Sequence, residues 1–126
     1  MLSRTHRLRL VVTLVAAHSI LLGLAMMLFP AQAMRLIGWD PPADLFFASQ
    51  SGLFLLILGA AYAAAARHRP FIALIVGSKA AAAVFLLASV AVFDVPGIIV
   101  ALGLGDGALG GLVLWEYLAC RRWDAR

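Results

Sequence analysis

The chain has 126 residues, 64% of them hydrophobic and 13% charged, with a formal net charge of +4 and a mean hydropathy of +1.02. Soluble domains average about 45–50% apolar and about 25% charged residues, and a water-soluble protein of this size has too small an interior to hide so much apolar surface. The composition excludes a soluble globular domain and points to a single compact membrane domain. The positive balance does not indicate nucleic acid. Nearly all of the ten Lys and Arg residues stand at the ends of apolar segments, where they anchor at headgroups, and no basic run is interleaved with aromatics.

A transmembrane helix needs about 20 predominantly apolar residues. The first such stretch runs from Leu8 to Phe29, led by Arg4, Arg7 and Arg9 and closed by Pro30. Its arginine-rich start, apolar centre and Ala31-Gln32-Ala33 imitate a secretory signal peptide. The apolar stretch is longer than the usual ~7–15 residues of a signal core, so it is expected to remain as a membrane helix. Residues 31–44 form the only extended connection. There Met34, Leu36, Ile37 and Trp39 can lie on the membrane surface while Arg35 and Asp40 face water, which predicts a short interfacial helix with a Trp anchor.

The second stretch, Leu45 to Ala66, is preceded by Asp40, Pro41, Pro42 and Asp44. The turn Arg67-His68-Arg69-Pro70 leads into the third, Phe71 to Phe93, and Asp94-Val95-Pro96-Gly97 into the fourth, Gly97 to Ala119. Proline removes a backbone donor and restricts the residue before it, which suits these breaks. Loops this short predict antiparallel neighbours, and the expected fold is an all-α, up-down-up-down bundle of four transmembrane helices. Arg4, Arg7, Arg9, Arg67, Arg69, Arg121, Arg122 and Arg126 all fall on one side of that bundle, with only Arg35 on the other. By the positive-inside rule both termini are expected to be cytoplasmic. The lone Cys120, beside Arg121 and Arg122, excludes an intrachain disulfide and CxxC chemistry. A passive interfacial thiol is expected there, with S-acylation as the alternative.

Two charged residues interrupt the apolar spans: Lys79 in the third and Asp106 in the fourth. An ionisable group at a helix centre costs at least about 2.5–3.5 kcal/mol in lipid, so each is a functional candidate. At ~1.5 Å of rise per residue, Lys79 lies about 12 Å from the cytoplasmic end, His18 about 15 Å and Asp106 about 18 Å. The three fall in one layer, and the lysine side chain is long enough to reach the aspartate across the third and fourth helices. Gln50 lies nearer the outer face. Glu116, beside Trp115 and Tyr117, is expected to reach headgroups or Arg121. For Lys79 and Asp106 the structural alternative is a salt bridge that fixes helix register. For His18 it is a hydrogen bond to a backbone carbonyl or Ser19, and for Gln50 an interhelical hydrogen bond. Gly103, Gly107 and Gly111 repeat every fourth residue and predict a close-packing face, with Gly105 and Gly110 thinning the helix further.

No pair of histidines has helical spacing for haem or zinc, and GLGDGALGG is embedded in an apolar span and follows no strand, so it makes no phosphate cradle. No catalytic motif emerges, and no metal site is expected. The overall pattern resembles the DoxX-like small bacterial membrane proteins. The points of similarity are the arginine-led first helix ending in LFP, Gln50-Ser51-Gly52 followed by LFLLILGAAY, the mid-helix Lys79, and Gly105-Asp106 in the last span. The resemblance implies a multi-pass bundle of the bacterial inner membrane, in some cases an accessory subunit of a quinone-linked oxidoreductase.

Three functions are therefore expected to compete. The first is an accessory subunit or lipophilic-ligand-binding bundle in which Lys79, Asp106 and His18 line a quinone-like site. The second is a proton-coupled transporter, which with so few helices requires a homodimer. The third is a structural scaffold or assembly subunit whose polar residues only specify packing.

Overall fold

The structure, a computed structural model, describes residues 3–124; Arg126 and the side chain of Arg122 lie outside the described residues. The described chain is helical throughout its ordered elements: α1 (Arg4–Leu28), α2 (Pro30–Leu36), α3 (Phe46–Ala65), α4 (Phe71–Val92) and α5 (Ile98–Asp124), with no strand among the described residues. α1, α3, α4 and α5 are long and apolar enough to cross a membrane, as a multi-pass membrane protein requires. The shortest of them, α3, has 20 residues and so spans about 30 Å, the thickness of a bilayer core.

The helix ends follow from side-chain chemistry. Ser3 caps α1 by accepting a hydrogen bond from the His6 N–H, which carries the helix into the basic residues ahead of its apolar stretch. Pro30 ends α1, because its nitrogen has no proton for the ladder, and then serves as the first residue of α2. α2 stops in a Schellman arrangement: the Gly38 N–H donates to Arg35 and the Trp39 N–H to Met34. Gly38 there has φ +77°, a backbone conformation that a side chain disfavours. At the start of α3 the Asp44 carboxylate accepts from the Phe46 N–H at 2.8 Å, placing a negative charge at the positive helix end. No residue of α2 is buried.

The long helices associate as two close pairs, α1 with α3 and α4 with α5. α1 also meets α5, and α3 meets α4, while α1 and α4 stand at opposite corners. Between α1 and α3 the backbones nearly touch. A Cβ built on Gly52 would overlap the Met27 backbone nitrogen and lie 2.7 Å from the Gly23 carbonyl oxygen. Further along, Gly59 sits against Ala16 and Ile20. In the other pair, Gly103 faces Leu86 and Leu87, Gly107 faces Ala83, and Gly110 faces Lys79. In both pairs residue numbers fall on one helix as they rise on its partner.

One shared apolar core joins the pairs. It contains Leu8, Val12, Val15 and Ala16 of α1, Tyr62 and Ala65 of α3, Ile72 and Ile75 of α4, and Val113 and Cys120 of α5. All of these come from the halves of the helices that carry the arginines. Because α1 supplies so much of this core, it is an integral part of the bundle. Cys120 is buried in the core, so its thiol is not presented for acylation. On the outside, large apolar side chains such as Leu14, Leu21, Phe54, Phe85 and Trp115 face away from the protein. That inverted distribution is stable only in an apolar solvent.

The glycine contacts make a direct test. Gly52→Ala forces the α1 and α3 backbones apart and is expected to destabilise the protein by about 1–3 kcal/mol. Gly77 has nothing within 4 Å of an added Cβ, so Gly77→Ala is expected to be neutral or to stabilise by up to about 1 kcal/mol through helix propensity. Thermal unfolding of both variants in the same detergent measures the difference.

Candidate functional site

Lys79 is positioned by the α4 face that carries Ile72, Ile75 and Ala83 into the interior, and the lysine itself is only 5% exposed. Its Nζ donates to Oδ1 of Asp106 at 2.5 Å. The ion pair spans α4 and α5 beside a close contact between the two helices. A Cβ on Gly110 would lie 2.9 Å from the Lys79 Cβ, so the glycine leaves the space that the base of the lysine side chain occupies. The two charges are not equally enclosed, because the lysine side chain is 7% exposed and the aspartate 19%. Asp106 stands between Gly105, where an added Cβ would meet nothing within 4 Å, and exposed Gly107. The more open side of the pair is therefore at the carboxylate.

Tyr62 and Ser78 extend the polar layer to α3. The Tyr62 hydroxyl lies 2.5 Å from Ser78 Oγ, and Ser78 Oγ donates to the Leu74 carbonyl at 2.6 Å. With the serine proton committed to its own helix, Tyr62 is the donor between the two hydroxyls. Tyr62 is 2% exposed, so this bond satisfies a phenol that would otherwise be buried without a partner. The sequence carries a weak signal for it: a tyrosine between alanines in an apolar span, and a serine immediately before the intramembrane lysine.

The other candidates lie elsewhere. His18 is exposed on α1, between helix faces whose inward positions are Val15, Ala16 and Ser19. Since α1 and α4 occupy opposite corners, the structure does not bring His18 to Lys79. Gln50 is half-buried near the start of α3, about 18 Å along that helix from Tyr62. Of the glycine stripe, Gly103 is packed tightly and Gly107 is in ordinary contact, whereas Gly111 has nothing within 4 Å of an added Cβ. Gly110 takes the packing position instead. Glu116 meets Arg7 rather than Arg121. It is 8% exposed and turned toward α1, where Arg7 Nη2 lies 3.7 Å from its Oε2, too far for a hydrogen bond. That oxygen and Ser19 Oγ are buried with no hydrogen-bond partner. Two cavities open at the arginine-bearing end, and neither is lined by Lys79, Asp106 or His18. Among the described residues no three His, Cys, Asp or Glu side chains come together as metal ligands would.

Chemically, the site is a neutralised ion pair with one accessible carboxylate edge. It can fix the register of two helices, and the carboxylate edge can accept a further hydrogen bond. Comparison with known proteins finds no matching family model, and no curated protein or solved structure with significant similarity.

Removing one member of a buried pair leaves an uncompensated charge, which typically costs about 3–5 kcal/mol, whereas removing both is often nearly neutral. Lys79→Met and Asp106→Asn are each expected to lower stability by about 3 kcal/mol or more. The double variant should recover most of that loss. Chemical unfolding of all four proteins in one detergent closes the cycle, and additive losses would show that the two side chains do not act as a pair.

Proposed function

We propose that this chain is a small accessory or scaffold subunit of a bacterial inner-membrane complex. It is built as an antiparallel four-helix bundle with both termini cytoplasmic, and Lys79–Asp106 holds α4 and α5 in register. The observation that carries the proposal is the 2.5 Å ion pair itself. Two charges that satisfy one another across a tight helix interface explain their own presence in lipid and leave no vacancy that a substrate must fill. The opposite numbering of the glycine contacts in both helix pairs supports the antiparallel order. Convergence of the basic residues of α1 with the α3–α4 turn around one cavity supports a common cytoplasmic end. The inner membrane and the role of accessory subunit come from the DoxX-like resemblance.

A second reading is favoured by the unequal enclosure of the pair. The Asp106 side chain is the more exposed of the two, and a quinone-like head group at its edge would, as the quinol, donate a hydroxyl to Asp106 or, as the quinone, accept from Lys79. A proton path through His18, Lys79 and Asp106 finds no support in the outward placement of His18.

Orientation is checked with reporters. A green fluorescent protein fused at the C-terminus is expected to fluoresce, and alkaline phosphatase inserted at Asp40 to be active; the reverse pattern would invert the topology. Function is checked by purification in a mild native detergent with lipid extraction. Other membrane subunits should co-purify with the wild-type protein and with the Lys79→Met/Asp106→Asn double variant alike. A double variant that keeps its fold and partners but loses bound quinone favours the ligand site. A protein that purifies alone, without subunits or quinone, sinks both readings.

A further inference from the structure

His18 stands ten residues from Leu8 and ten from Leu28, about 15 Å each way, at the middle of the apolar length of α1. It is exposed, and it forms no hydrogen bond or ion pair among the described residues. Several polar side chains of the spans are satisfied within the chain. The hydroxyls of Ser51, Ser78 and Ser89 donate to the carbonyls of Phe47, Leu74 and Phe85 on their own helices, and Lys79 bonds Asp106. A neutral imidazole carries one N–H donor and one bare nitrogen acceptor, and hydrocarbon offers a partner to neither. The partner of His18 must therefore come from outside this bundle.

The surface around His18 is patterned. Leu14, Leu21 and Leu28 recur every seven residues and are 59%, 67% and 58% exposed. His18 and half-buried Ala25 stand between them, in alternating steps of four and three, the two apolar positions of a heptad seam. Ala16, Ile20 and Gly23 make the α3 contact and Leu8, Val12 and Val15 enter the core, so the seam lies outside the packing of the bundle. Leucine alone gains nothing by leaving lipid, and such a seam binds another helix only through a polar contact. One polar residue in an apolar seam also fixes register and partner number. A second copy of the chain is complementary to His18. Copies inserted in one orientation carry it at one depth, and a two-fold axis along the membrane normal brings the two rings together. The N–H of one imidazole then donates to the bare nitrogen of the other, and exposed Ala17 beside His18 leaves room for the approach. We propose that Leu14, His18, Leu21, Ala25 and Leu28 are the surface by which two copies of this chain pair in the membrane, with a hydrogen bond between the two His18 rings at its centre. The surface is independent of the role proposed for Lys79 and Asp106.

The test uses the full-length protein in native membranes, with the sole cysteine removed as Cys120→Ala. Leu14→Cys and Leu21→Cys in that background are expected to give, on oxidation with copper phenanthroline, a disulfide-linked species of twice the chain's mass. Val84→Cys, 70% exposed on α4, should stay monomeric. If Cys120→Ala loses its helical circular dichroism, the same comparison is made with the buried native thiol in place. Pairing strength is read from resonance energy transfer between donor- and acceptor-labelled copies diluted in phosphatidylcholine vesicles. His18→Leu is expected to weaken pairing about three- to eighteenfold, the range of interhelical hydrogen bonds in membranes. His18→Asn, whose amide also donates and accepts, should restore it. Monomer alone at Leu14→Cys and Leu21→Cys overturns the proposal. A cross-link to a protein of another mass also overturns it and assigns the seam to a different subunit. Equal cross-linking of Val84→Cys, or undiminished pairing of His18→Leu, overturns it as well. Co-purification of other subunits bears on the accessory role alone, so the two readings fail separately.

Discussion

In a bilayer an apolar side chain gains nothing by leaving lipid for protein, so helices associate where their surfaces are thin enough for backbones to meet. Every other feature of this bundle depends on that constraint. Gly23 and Gly52 let α1 lie against α3, and Gly103 and Gly110 do the same for α5 against α4. At these points main-chain atoms of one helix contact main-chain or Cβ atoms of the next, and dispersion attraction is gained over a continuous strip. The exterior remains clothed in leucine and phenylalanine because nothing in lipid requires it to be otherwise.

The ion pair is a product of the same close approach. Lys79 and Asp106 are single charges in apolar surroundings, and they meet because Gly110 removes the side chain that would hold the helices apart. Burial then sharpens the geometry: each charge is worth most when the other is at hydrogen-bond distance, so a slip of one helix along the other leaves both unsatisfied. Small residues supply the contact, and the charges select one register from the several that small residues would tolerate. The Tyr62–Ser78 bond places a further polar fastener between α3 and α4. Arg7 and Glu116 put opposite charges face to face between α1 and α5.

The apolar helices were legible in the sequence because length and hydropathy are one-dimensional properties, and Pro30 and Pro96 mark breaks by removing a donor. Height along a helix was legible for the same reason, which is why Lys79 and Asp106 are recognisable as potential partners. Direction around the helix was not. His18 shares a depth with the pair, yet turning by about 100° per residue carries it away from Val15 and Ser19 to the lipid side. The glycine stripe shows the same limit. Four-residue steps drift by about 40° each, so Gly103 and Gly111 end on different faces and Gly110 returns to the interface. In the sequence Glu116 stands nearest the basic residues of its own helix end, whereas its neighbour Arg7 comes from the opposite end of the chain. Only the adjacency of α1 and α5 reveals that.

The spacing of the ion pair also bears on how the protein is made. Lys79 and Asp106 are 27 residues apart in the chain, and synthesis runs from the first to the second. When α4 emerges from the ribosome its lysine has no counter-ion, and a helix carrying an unpaired ammonium partitions poorly into lipid. The partner arrives only after the turn at Asp94–Gly97 and the first turns of α5 have been made. Insertion of α4 is thus thermodynamically complete only as a hairpin with α5. The bond that fixes helix register in the finished bundle also makes the membrane insertion of its second half a concerted event.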